Sequence, residues 1–154
     1  MSDNKPQMSL ADKARAQTAR AVEAQERSDF EKKEKIRVTG SVLKNFVAIQ
    51  QDIQVVANRI NKELDGTGVS IDIAMLRNDP HNSIGSIKVS VDRERQQISF
   101  QKMVIVFFPE GFATVAWKIP TVKIEPSTPI DSRNVTILDL EAIIRHFLDI
   151  CLSV

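Results

Sequence analysis

From Ser9 to Lys35 the sequence has the spacing of a helix and almost nothing for a helix to bury. The large apolar residues in that stretch are Leu10, Val22 and Phe30; Ala, Gln and charged side chains fill most of the rest. A helix with so narrow an apolar stripe cannot be the core helix of its own domain. It has to project, pair with another surface, or remain partly unformed. The residues that can build a core lie after position 40. The chain therefore reads as an N-terminal tail and charged, Ala-rich helix over 1–38, followed by an α-β-β-β-β-α domain over 39–154.

Ser9 with Asp12 supplies a helix start, a hydroxyl for the free N–H groups and an acid in the first turn. Glu23, Arg27, Glu31 and Lys35 alternate in sign at four-residue steps, with Asp29 and Lys33 beside them. Each such pair is worth only about 0.2–0.5 kcal/mol. Thr39-Gly40-Ser41 predicts an interruption, in which Gly40 ends or kinks the first helix and Ser41 caps a second.

The second helix, over roughly 41–64, has the strongest periodicity in the chain. Val42, Phe46, Ile49, Ile53, Val56 and Ile60 alternate four- and three-residue steps, as a heptad seam does. Leu43, Ala57 and Leu64 widen the stripe on one flank, which suits packing on a sheet better than a two-helix coiled coil. Burying the six seam residues stabilises a fold by about 1.5–3 kcal/mol each before entropy is counted. Asp65-Gly66-Thr67-Gly68 closes the helix, with Gly66 in the left-handed conformation.

Four segments of period two follow, over 69–75, 86–92, 98–108 and 113–119. The third becomes apolar on both faces from Met103 to Phe108. Its phase slip at Gln101-Lys102 predicts a β-bulge, or an end covered on both sides. Short connections at Asn78–Ser83, Arg93–Gln97 and Pro109–Gly111 imply antiparallel neighbours. Thr136 and Asp139 start a last helix with Leu140, Ile143, Ile144, Phe147, Leu148 and Cys151 on its apolar face. The expected fold is α+β: a four-stranded antiparallel meander with one face covered by two helices, preceded by a long projecting N-terminal helix. The other sheet face, carrying Ser, Thr, Asp, Lys and Gln, is expected to meet water or a partner.

Composition narrows function mostly by exclusion. Twenty-one Lys and Arg against 20 Asp and Glu leave a net charge of +1, so no global field draws the chain to nucleic acid or anionic lipid. No stretch approaches the roughly 20 apolar residues that span a bilayer, and the N-terminus lacks the apolar run of a secretory signal. With a single cysteine, Cys151, a reducing, cytoplasmic setting is expected and no membrane partner.

Chemistry-bearing motifs have plainer explanations. Asp79-Pro80-His81-Asn82 fits a type I turn. His146, with Asp149 three residues on, fits an exposed polar stripe, and Cys151 fits a core or interface thiol. Ser41-Val42-Leu43-Lys44 lacks the companion elements of a serine–lysine enzyme. Asp65-Gly66-Thr67-Gly68 runs from helix to strand and so presents carbonyls rather than the N–H groups a phosphate needs. Two His and one Cys are too few for a zinc site. No catalytic, cofactor-binding or metal-binding residue is assigned, and no cofactor is expected.

The sequence therefore points to a non-enzymatic protein-protein interaction or oligomerisation module, with a protein partner or a second copy. Its contacts are expected at an exposed sheet edge and on the N-terminal helix, through Ala11, Ala14, Thr18, Ala21, Val22 and Phe30. Two alternatives stay open. One is a nucleic-acid-associated protein using the basic clusters at 32–37 and 93–95; residues 1–37 hold nine basic and seven acidic side chains, a net of +2. The other is a small-ligand or enzyme domain with a pocket between the sheet and the last helix.

Overall fold

The structure is a computed structural model that describes residues 7–77, 83–95, 101–120 and 128–153. The Asp79–Asn82 turn, Ile98, Phe100 and Pro126 lie outside the described residues. The chain divides into two compact units, one ending at Arg37 and one beginning at Val38. Its elements are α1 (Leu10–Glu63), β1 (Val69–Arg77), β2 (Gly85–Arg93), β3 (Lys102–Phe107), β4 (Phe112–Lys118), β5 (Ile130–Asp131) and α2 (Ile137–Leu152). The class is α+β, with a long N-terminal helix, an antiparallel sheet and a C-terminal helix.

Two expectations are corrected. The helix does not break at Thr39-Gly40-Ser41: α1 is continuous, and Ser41 lies inside it rather than at a helix start. A break would leave four carbonyls and four N–H groups without helical partners. Keeping Gly40 inside the helix costs only about 1 kcal/mol. The glycines with positive φ are Gly66, Gly68 and Gly111, and of these Gly66 follows the helix end as expected. The second correction is the strand count. The sheet has five strands in the order β1-β2-β3-β4-β5, each antiparallel to its neighbour. The fifth is the pair Ile130 and Asp131, too short to show a period in the sequence.

The start of α1 is as read: Asp12 N–H donates to Ser9 Oγ at 3.1 Å. Thr136 and Asp139 form a reciprocal capping box at the start of α2. No bulge occurs at Gln101-Lys102, because Val91 N–H donates to the Gln101 carbonyl at 3.1 Å in the same register that pairs Ser90 with Lys102. The apolar phase slip has a different cause. Met103, Ile105 and Phe107 are buried on one face, and Val104 and Val106 are half-buried on the other.

The register lines the inner face in rows. Ile73, Val89, Met103 and Trp117 form one, and Met75, Ile87, Ile105 and Val115 the next. Onto these rows pack all six seam residues of α1 with Ala57, and Leu140, Ile144, Phe147, Leu148 and Cys151 of α2, in one continuous core. Leu43 is exposed, and Leu64 is partly buried. At the end of the seam Phe46 meets Phe107 edge-on, with centroids 5.3 Å apart. Gly85, paired with Phe107, makes room for that ring: a Cβ there would sit 2.6 Å from Phe46 Cζ and 2.6 Å from the Leu76 carbonyl oxygen.

The two helices are also tied by charge. Arg59 Nη1 lies 2.9 Å from Glu141 Oε2, and Arg145 Nη2 lies 2.7 Å from Glu63 Oε1 and 3.4 Å from Glu141 Oε1. Glu141 is almost wholly buried, which its place in an apolar run does not announce.

Gly85→Ala should destabilise the domain by about 1–3 kcal/mol through overpacking, and Phe46→Ala by about 3–5 kcal/mol through the cavity left. Urea unfolding followed by far-UV circular dichroism measures both. Wild-type stability in Gly85→Ala would show that the Phe46 ring is not seated as described.

Candidate interaction surfaces

Within the first unit, the helical residues from Leu10 to Arg37 include no buried side chain. Every large apolar residue there is exposed, Leu10 by 84%, Val22 by 50%, Phe30 by 65% and Ile36 by 73%. The ion pairs of this stretch are Asp12–Arg15 at 3.3 Å and Glu34–Arg37 at 3.0 Å, both three residues apart. The four-residue ladder from Glu23 to Lys35 closes no contact within 4 Å among the described residues. Gln25 Nε2 instead donates to Asp29 Oδ1 at 3.0 Å.

At about 100° per residue, Ala11, Thr18 and Val22 share one face, with Ala14 and Ala21 on its flank. Phe30 stands about 80° round from Val22, so the six anticipated contact residues do not form one stripe. Ile36, two heptads after Val22, returns to the Val22 face. It lies one residue past the Ser9–Lys35 stretch, and its fourteen-residue spacing from Val22 is visible in the sequence.

The sheet edge is less open than expected. Along β1, Asn61 Oδ1 accepts from the Ile71 N–H at 2.8 Å and Asn61 Nδ2 donates to the Ile71 carbonyl at 3.0 Å. Gln54 Nε2 donates to the Ile73 carbonyl at 3.4 Å. Side chains of α1 thus occupy the edge groups that an incoming strand would use.

The outer sheet face also departs from expectation. Asp72, Ser90, Lys102 and Lys118 share a polar row, but Leu76 and Val106 lie in an apolar one with Ser86 and Thr114. Phe108 and Phe112 stack at 4.8 Å at that apolar end, where Phe112 is 38% exposed. The run Met103–Phe108, apolar on both faces, was the signal for it.

Leu140, Ile144, Phe147 and Cys151 fill the space between sheet and α2 with no exposure, so the expected pocket there is a packed interior. His146 is exposed, its ring centroid 5.4 Å from that of Trp117, and among the described residues it makes no ion pair with Asp149. His81 lies outside the described residues. Among the described residues no group of His, Cys, Asp and Glu is arranged to hold a metal, and no helix is long and apolar enough to cross a membrane.

The basic cluster at 93–95 and the glycine loop meet in space. Gly66–Val69 and Arg93–Arg95 line an open concavity of about 480 Å³. Glu94 shares that lining, its carboxylate close to Gly68, and Arg93 Nη2 is engaged by Gln101 Oε1 at 2.9 Å. The carbonyl end of α1 faces the same loop. Both features disfavour an anion. No family model matches the chain, and neither does any curated protein or solved structure.

Burial pushes the Cys151 thiol up to about 11. It should react with a disulfide reagent at pH 8 only as fast as the domain opens. Above the ordinary thiol pKa of about 8.5 the unfolded chain ionises while the folded one does not, so stability falls as pH rises. Immediate stoichiometric labelling of the native protein would contradict this placement.

Proposed function

We propose that this chain is a non-enzymatic interaction or oligomerisation module whose main contact surface is the Leu10–Arg37 part of α1. The supporting observation is a run of 28 helical residues with no buried side chain and with Val22, Phe30 and Ile36 at least half exposed. Helices in proteins owe most of their stability to tertiary packing of an apolar face rather than to propensity. A helix held without such packing is best used where a second surface supplies it. The β1 edge is a lesser candidate, since Asn61 and Gln54 already fill part of it.

A nucleic-acid reading has less behind it. Lys32, Lys33, Lys35 and Arg37 are one concentrated basic run, but Arg37 is bonded to Glu34, and Arg93 to Gln101. No ladder of exposed aromatics accompanies either cluster among the described residues.

Val22→Glu with Ile36→Glu places charge on the proposed surface and touches no core residue. Sedimentation equilibrium of the full chain should show association for the wild type, weakened at least about tenfold in the double variant. A monomeric wild type whose properties survive removal of residues 1–38, or association untouched by the substitutions, would contradict the proposal.

A further inference from the structure

The charges of the first unit come in blocks. Lys13, Arg15 and Arg20 outweigh Asp12 for a net of +2; Glu23, Glu26, Asp29 and Glu31 outweigh Arg27 for a net of −3. Val22 separates these two blocks, and a third follows at 32–37, where Lys32, Lys33, Lys35 and Arg37 outweigh Glu34 for a net of +3. A seven-residue row, Arg15, Val22, Asp29 and Ile36, runs along this part of α1 and drifts only about 20° per step, which a left-handed supercoil absorbs. Met8, 54% exposed just ahead of the helix, continues its spacing.

Resting on the interaction reading above, we infer that this segment pairs antiparallel with the same segment of a second copy, with Val22 at the crossing. The row is its own complement when reversed about Val22. Val22 meets Val22, Ile36 meets Met8, and each Arg15 meets the Asp29 of the second copy with Glu26 beside it. The +2 block then lies along the −3 block on both sides of the crossing, and beyond it Lys32 meets Asp12. No level between Gln7 and Arg37 carries two like charges in this register. Parallel in-register pairing does the reverse, because every charge meets its own copy, Arg15 against Arg15 and Asp29 against Asp29. Like-charge juxtaposition of that kind is the usual device against a wrong orientation.

The geometry of the single chain permits the exchange. Among the described residues Arg15 bonds Asp12 at 3.3 Å, and both side chains are more than half exposed, so the contact is readily given up. Ala11, Thr18 and Ala19 lie beside the row and let two backbones approach closely.

Two experiments on the full chain read the orientation. In sedimentation equilibrium, Arg15→Asp and Asp29→Arg should each weaken self-association about fivefold to thirtyfold, since two ion pairs per dimer become repulsive. The double variant should recover the wild-type value within about twofold. In parallel pairing each swap exchanges one like pair for another, and neither single variant would weaken association.

For cross-linking, Cys151 is buried, so a new thiol is read alone. Val22→Cys should form an interchain disulfide. Ala11→Cys should not link to itself but should link to Lys33→Cys when the two are mixed. If Ala11→Cys links to itself as readily as Val22→Cys, the antiparallel register is wrong, while the interaction reading survives as long as Val22→Glu with Ile36→Glu still disrupts assembly. A wild type that does not self-associate overturns the self-pairing outright.

Discussion

One strip of side chains on α1, from Val42 to Ile60, carries the rest of the fold. Six residues at alternating four- and three-residue steps sit on the inner rows of the sheet and are at most 3% exposed. Phe46 is the tightest point, wedged between Phe107 and the bare backbone of Gly85. Because that ring fixes where the helix lies over β2 and β3, the same helix can extend Asn61 and Gln54 to the edge of β1. It also presents Arg59 and Glu63 to Glu141 and Arg145 of α2. Polar ties then follow from apolar seating, as expected where hydrophobic burial is large and each surface contact is small.

The same seating explains how α1 reaches Leu10. Starting a helix is the costly step, whereas adding residues to an existing one is nearly neutral for Ala, Lys, Glu, Gln and Arg. The buried turns supply the nucleus, so the Ala-rich, charged sequence before them needs no core of its own. Gly40 adds a local penalty of about 1 kcal/mol, smaller than the cost of eight unpaired backbone groups. A segment held helical in this way keeps its side chains available to another surface. On the self-pairing we propose, that surface is a second copy, because the Arg15, Val22, Asp29 and Ile36 row complements itself on reversal.

What was legible in the sequence followed from period. The seam of α1 marks six buried residues, and the strand alternation and the apolar face of α2 mark residues that are buried or half-buried where described, because burial on one face imposes spacing directly. Failures came where a local signal competed with a longer-range one. Thr39-Gly40-Ser41 reads as cap and break, yet the helix is decided by packing on one side and propagation on the other. The two residues of β5 are too few to show a period. The phase slip before Met103 came from partial burial of the second face, not from an added residue. Glu141 was invisible because its partners, Arg59 and Arg145, come from different elements. The exposure of Val22 and Phe30 is legible in the sequence because nothing apolar accompanies them at helical spacing, and Ile36, equally exposed, lies one residue past the Ser9–Lys35 stretch.

Amide hydrogen exchange along α1, followed at low and high protein concentration, bears most directly on this division between a seated half and a half with no buried side chain. Amides from Phe46 to Ile60 should exchange only through global unfolding, at a rate independent of concentration. Those from Leu10 to Arg37 should exchange orders of magnitude faster when dilute and slow markedly as concentration rises. Strong protection of residues 10–37 at the lowest concentration, equal to that of the seam, would contradict it.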